Sequence, residues 1–426
     1  MKNLFLISDL HIGGDSLLEH CDFEQDLINF LRKLIDYQTE TELILVGDIF
    51  SMWEITGYEG VGKLAKIISS HPKLFEQFKI TGSVVKISMI VGNHDMELLT
   101  DIKFKILLKE YNINLIKTIS TKRVVGGKKI RIEHGNQLDM NNAYEKWGSV
   151  DKLPIGYYFN RNLINKVEGI FTNDNSKWLR GFINVQPHSS VPIWFFSNYF
   201  YKQMNPFLRY SILPFIILIT FSFIALILSL LQKYNLIDGY FFIKGFSSTF
   251  GIVGNVIDFI IFIDIVFIIS FLIIGVPLYL LIFDFIKVVK SYNLPISKVE
   301  SKKFQLNKIR ELVKLNSNYD VFVFGHTHEP NLHYNKIDGR KKIIINTGTW
   351  LKSFRRIKTW FRYLPPVFIA TQDLNYFRIF ENDGKVTIQY KQNNKPLNNN
   401  FTILERLVTL GSKHNLKPRF KSKINI

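Results

Sequence analysis

Four short apolar runs, at residues 4–7, 43–46, 87–91 and 321–324, each stop abruptly at a cluster of metal-ligating side chains, which leaves few folds open to the chain. Runs this short read as buried strands, since a helix would need about ten residues or more. The clusters that follow them are Asp9-Leu10-His11, Gly47-Asp48, Gly92-Asn93-His94-Asp95 and Gly325-His326-Thr327-His328. A fifth fragment, His134-Gly135, ends a predicted hairpin in which 123–125 turns at Gly126-Gly127 into 130–133. Polar residues at the carboxyl ends of strands in an α/β sheet converge on one crevice. The chain is therefore expected to be α/β, with these fragments gathered in a single site.

A lone Asp-x-His would more simply be a solvated or core-satisfied pair. Five such fragments together, holding half of the ten histidines, point instead to metal ligation. Mixed carboxylate, amide and imidazole donors suit Mn, Fe, Zn or Ni, whereas all-oxygen sites suit Mg or Ca. Thiolate ligation is not in question, because Cys21 is the single cysteine and lies in no fragment. One cysteine also excludes an internal disulfide, so nothing points to an oxidising compartment.

In order and wording the five fragments resemble the calcineurin-like metallophosphoesterases, whose pattern runs D-x-H, G-D, G-N-H-D/E, H and G-H-x-H. The resemblance covers residues 1–142 and again about 308–389. It implies a sandwich of two mixed β-sheets flanked by helices, and two divalent metal ions, manganese preferred with iron, zinc or nickel open. Asp9, His11 and His328 would hold one ion, Asn93, His134 and His326 the other, with Asp48 bridging. His94 would stand beside the scissile phosphate as general acid or transition-state stabiliser, its ring oriented by Asp95. Hydrolysis in such a site proceeds through activated water and needs no protein nucleophile. Residues 344–350 look like the strand and turn that close the family's second sheet. Ser51 departs from the Gly-Asp-x-x-Asp of many relatives, which puts tuning of the site in question rather than ligation.

The wording Gly47-Asp48-Ile49-Phe50-Ser51-Met52-Trp53 narrows the resemblance to the UDP-2,3-diacylglucosamine pyrophosphatase branch, which cleaves a lipid-linked nucleotide at its pyrophosphate and carries a helical lid. Here the corresponding insert, 143–307, is far longer than a lid. Tyr144, Arg161, Asn165 and Lys166 are its candidates for polar substrate contacts, ordinary surface roles being the plainer alternative.

Residues 211–231 and 265–283 of the insert carry no charge. At about 1.5 Å per helical residue each spans about 30 Å, the thickness of a bilayer core. A transmembrane hairpin is expected, with a buried apolar lid as the alternative. Pro214 falls in a first helical turn where it is tolerated, and Gly275-Val276-Pro277 should kink the second span. Lys202, Arg209, Lys287, Lys290, Lys298, Lys302 and Lys303 flank the pair outside, against Lys233 and Lys244 in the connecting loop. That asymmetry places the catalytic part in the cytoplasm of a multi-pass cell-membrane protein. Run 4–7 is too short for a signal peptide and leads straight into ligands. Whether the helices pair within one chain or in a homodimer stays open.

The expected organisation is thus 1–142 and 308–391 as the two halves of one catalytic domain, 143–307 as the insert, and 392–426 as a basic extension. A net charge of +18 favours anionic partners. With two apolar spans in the chain, a lipid bilayer is preferred to nucleic acid, and an amphiphilic phosphate or pyrophosphate is the expected substrate. A nucleotidase or nuclease and a membrane-anchored protein phosphatase would use the same metals. A silent scaffold would need lost ligands, and none is lost.

Overall fold

The structure is a computed structural model, described for residues 3–13, 21–37, 40–158, 160–161, 185, 190–207 and 298–410 save 338, 358, 361–363 and 398, then 420–426, with scattered positions between 209 and 283. Two compact units are present, Met1–Phe195 with Lys302–Ile426, and Phe196–Ser301.

The larger unit is built on two mixed sheets. The first has seven strands in the order β14-β13-β12-β1-β2-β3-β4. Its parallel half is β1 (Asn3–Ile7), β2 (Thr41–Val46), β3 (Lys86–Ile90) and β4 (Ile113–Ile116). Its antiparallel half is β12 (Asp373–Asn382), β13 (Lys385–Asn394) and β14 (Lys423–Asn425). The second sheet has five, ordered β5-β6-β7-β9-β8, from β5 (Ser120–Val125), β6 (Lys128–Glu133), β7 (Val321–Phe324), β8 (Asn331–Ile337) and β9 (Arg340–Asn346). A separate ribbon pairs β10 (Ser353–Arg356) with β11 (Phe368–Thr371).

The period-2 alternation of strands decides what lies between the sheets. Leu4, Leu6, Ile44, Val46 and Ile90 face Val125, Ile130, Ile132, Val323 and Ile345 in one buried cluster. The intervening Phe5, Ile7, Leu43, Leu45, Ile87 and Met89 face the other way, onto helices. These are α1 (Glu24–Ile35), α2 (Val61–Ser70), α3 (Pro72–Gly82) and α4 (Ile102–Glu110). Helix α1 shows why they form. Leu27, Leu31 and Leu34 fall on one buried stripe, with Glu24 and Asp26 at the positive end of the dipole and Arg32 and Lys33 at the negative end. On the far side of the second sheet, Phe322, Phe324 and Ile344 pack on Val313 of α6 (Lys298–Leu315), α5 being Val191–Asn198. Each buried aliphatic side chain contributes about 1.5–3 kcal/mol, so β1, β2 and β3, apolar on both faces, anchor the ligand loops that follow them.

Two expectations need correcting. Strand β9 does not close the second sheet: it lies inside, parallel to β7, while β8 folds back antiparallel and takes the edge. The tail beyond 392 is not an appended extension. It contributes α7 (Ile403–Val408), held by a capping box between Thr402 and Glu405, and strand β14 on the sheet edge, where Ile424 is buried against the inter-sheet core.

In the smaller unit the described helical residues leave Ile252, Val256, Phe259, Phe262, Phe267 and Ile273 exposed. Among the described residues no helix is long and apolar enough to cross a membrane. The runs 211–231 and 265–283 lie in part outside those residues, as do Pro214 and Gly275-Val276-Pro277.

Candidate metal centre

The five fragments meet because their loops are laced to one another. After β1 and β2 the backbone continues to pair, Asp9 N–H to the Gly47 carbonyl (3.0 Å), His11 N–H to Asp48 (3.0 Å) and Ile12 N–H to Ile49 (2.8 Å). Gly325 N–H bonds the His134 carbonyl at 2.8 Å, tying the loop after β7 to that after β6. Thr349 Oγ1 donates to the Asp9 carbonyl at 2.6 Å, and Ser8 Oγ donates to the Gly348 carbonyl at 3.0 Å and to Asp9 Oδ2.

Five of the side chains expected to bind metal sit on left-handed backbone: Asp9 (φ 52°), His11 (48°), Asp48 (52°), His326 (69°) and His328 (57°). Such conformations cost about 1–3 kcal/mol each outside glycine and persist where the surroundings impose them, typically at functional sites. Here they fall at Asp9 and His11, at Asp48, and at His326 and His328, in the loops that carry the metal-type residues.

Asp9, His11 and His328 offer ligand atoms within 4.8 Å of one another, and Asp48, His134 and His326 do the same. His328 Nε2 is 3.2 Å from Asp9 Oδ1 and 3.2 Å from His11 Nε2. His134 Nε2 is 3.1 Å from Asp48 Oδ2, which lies 4.0 Å from His11 Nε2, so Asp48 reaches both groups. Asn93 Oδ1 is buried with no hydrogen-bond partner, and His134 Nε2, near Asp48 as it is, lacks the alignment of a hydrogen bond. Buried atoms of this kind cost about 1–3 kcal/mol unless something satisfies them. Two carboxylates, four imidazoles and one amide, with two orphaned donor atoms among them, fit two divalent cations.

Outer contacts fix the rings. His134 Nδ1 donates to the Val46 carbonyl at 2.8 Å, which directs Nε2 into the centre. His326 Nε2 lies 2.9 Å from Asp139 Oδ2, which leaves Nδ1 as its candidate ligand atom. Burial would raise the Asp139 carboxyl, but His326, the Asn142 amide and the Asn141 N–H hold it at about 2. Burial would also raise Asp48, and His134, His94 and His11 together keep it well below the usual carboxylate range. Ser51 Oγ donates to the His11 carbonyl at 3.2 Å, supporting that loop.

His94 is near the centre, its ring 4.6 Å from that of His11. The partner expected for it does something else. Asp95 is fully buried and accepts backbone N–H bonds from Gly92 (2.5 Å), Ile49 (2.8 Å) and Phe50 (3.4 Å), joining the loops after β2 and β3. Burial and the charge of Asp48 push Asp95 up to about 7 despite those bonds. The carboxylate beside His94 Nδ1 belongs to Glu54, with Oε1 at 3.1 Å and Oε2 at 3.4 Å. Burial disfavours the charged ring, but Glu54 and Asp48 outweigh it and raise His94 to about 9.

Of the candidate substrate contacts, Tyr144 donates to the Asn93 carbonyl (3.0 Å) and accepts from Trp53 Nε1 (3.3 Å), so it supports a ligand loop. Arg161 donates to the Trp53 carbonyl at 3.3 Å. Asn165 and Lys166 lie outside the described residues. Sequence reasoning missed Glu54 and Asp139; only their nearness to Trp53 and His134 in the chain hinted at them.

No protein-family profile matches the chain, and no curated protein does. Among solved structures it is similar to wild-type Vps29 complexed with zinc from Entamoeba histolytica, at 9% identity and TM-score 0.28 over 92% of each chain. It is also similar to a predicted phosphoesterase from Streptococcus pneumoniae, at 8% and 0.27, over 92% of this chain and 98% of that one. A dimetal phosphatase from Danio rerio gives 9% and 0.34, over 92% and 96%. Likeness at this level assigns neither fold nor function, and the arrangement of the residues has to do so.

Proposed function

We propose that the chain is a dinuclear-metal phosphoesterase, held at a membrane by its insert, that hydrolyses a phosphate or pyrophosphate bond of an amphiphilic, UDP-diacylglucosamine-like substrate. The observation that carries the hydrolase reading is the sharing of Asp48 between two donor groups. Two divalent ions, manganese preferred, would supply Lewis acidity toward the phosphoryl oxygens and make the attacking water more acidic. Asp9, His11 and His328 would hold one, Asn93, His134 and His326 the other, and Asp48 both. His134 and His326 present a single nitrogen each, because Val46 and Asp139 engage the other. His94, on the rim, is the group able to hand a proton to a departing oxygen.

The membrane part of the proposal is supported by the uncharged runs, by the exposed apolar residues of the smaller unit and by the charge of +18. Acyl chains bound along the insert would hold phosphorus at the metals, so that remote binding energy lowers the barrier.

The test is a panel of lipid-linked and soluble phosphates, assayed with manganese in mixed micelles through an acyl chain-length series. kcat/KM should fall steeply as chains shorten. Equal efficiency on acylated and deacylated substrates would remove the lipid reading and promote a nucleotidase. A steep dependence with no turnover of UDP-linked lipids would reject only that headgroup.

A further inference from the structure

His94 is gripped on two sides by Trp53 and Glu54, which adjoin each other in the chain. The indole of Trp53 covers its ring at 4.0 Å between centroids and 31° between planes, and the Glu54 carboxylate meets Nδ1. Both neighbours are nearly buried, each 7% exposed. Both are held in turn by residues from the start of the insert. Asn160 Nδ2 donates to Glu54 Oε1 at 2.6 Å, and Arg161 donates to the Trp53 carbonyl. On the other side the His94 backbone N–H donates to Asp48 Oδ1 at 2.8 Å.

We propose that Glu54 is the positioning carboxylate of His94 and that Asn160 fixes Glu54, so that the opening helical residues of the insert complete the proton-donating part of the site. The inference rests on the phosphoesterase reading and adds residues that the five-fragment pattern does not contain. Its reason is geometric. A carboxylate at Nδ1 holds the ring's tautomer and tilt and leaves Nε2 to act. Asp95 is not the residue for this, since backbone N–H groups engage both of its oxygens. Neither Glu54 nor Asn160 touches the reacting atoms. As the bond from phosphorus to the leaving oxygen breaks, that oxygen takes the proton from His94 Nε2, and the water consumed at phosphorus returns one to the ring.

The experiment uses the full chain with manganese and two phosphodiesters that differ in leaving group, a nitrophenyl ester and an alkyl ester. A poor leaving group needs its proton and a good one does not. Glu54→Gln should lower kcat on the alkyl ester about a hundredfold. KM should stay within about twofold, with little change on the nitrophenyl ester. Asn160→Ala should shift both values in the same sense but less, and Glu54→Asp should recover part of the loss. Metal content should equal that of wild type in all three. Equal losses on the two esters, or loss of metal in Glu54→Gln, would overturn the proposal, because either marks a merely structural role. Nitrogen-15 spectra of histidine-labelled protein give a reading free of turnover. The His94 Nδ1–H signal should move in Glu54→Gln, and an unmoved signal overturns the pairing. A wild type that holds both metals and cleaves neither these esters nor the lipid-linked phosphates of the panel refutes the phosphoesterase reading, and the ring spectra then decide the Glu54 pairing alone.

Discussion

Asp48 is the residue on which the centre turns, because its carboxylate is the one within reach of both donor groups. Asp48→Ala should lose most bound metal and all hydrolysis, whereas His94→Ala should keep both ions and lower kcat about 10²- to 10⁴-fold. Elemental analysis of the two purified variants separates them, and full metal occupancy in the Asp48 variant would sink the assignment. Gly92 makes a second point at this scale. A Cβ there would collide with Asp48 Oδ1 and come within 2.7 Å of His134 Cδ2. Gly92→Ala should therefore lower metal content while leaving the far-ultraviolet circular dichroism spectrum unchanged, since the clash falls on the centre and not on the sheets.

At the scale of elements, the two sheets are joined by an ion pair as well as by their apolar faces. Glu42 on β2 is buried and receives two bonds from Arg123 on β5, at 2.7 Å and 2.8 Å, plus one from Ser88 at 2.6 Å. Burial alone would raise the Glu42 carboxyl, but Arg123, Ser88 and Lys86 together pull it below the ordinary glutamate value. A carboxyl lowered by folding adds stability above the unfolded glutamate range. That contribution declines as pH falls below the range and is gone below the folded value. Glu42→Gln should cost about 3 kcal/mol at neutral pH, because it leaves Arg123 without its charge partner. Thermal melts across a pH series check this. The gap between wild type and variant should narrow as pH drops below the glutamate range, and a gap independent of pH would show that the clasp contributes nothing through charge.

For the whole molecule the question is whether the insert is an anchor. The full chain should remain with membranes through a carbonate wash and leave them only with detergent. Deleting 211–286 and bridging the ends with a short flexible linker should give a soluble protein that still binds two metals. Recovery of the full chain in the carbonate supernatant would count against both apolar spans.

What the sequence determined by itself was the set of elements, and of candidate metal-type residues, whose signal is local. Short apolar runs with polar ends gave β1, β2, β3 and β7, and Gly126-Gly127, at φ 51° and 78°, gave the hairpin between β5 and β6. The metal-type residues at those strand ends could be read because chemistry, not packing, restricts which side chains serve. Tertiary structure alone decided what depends on contacts between segments distant in the chain. Asp95 follows His94 directly and Glu54 stands 40 residues before it, yet only the meeting of the loops after β2 and β3 showed that the first carboxylate holds backbone and the second the ring. Asp139 became a partner of His326 across a separation of 187 residues. The tail that composition marked as a basic extension became a sheet edge because a short stretch with isoleucines at 424 and 426 found an open strand beside it, and nothing within the tail names that partner.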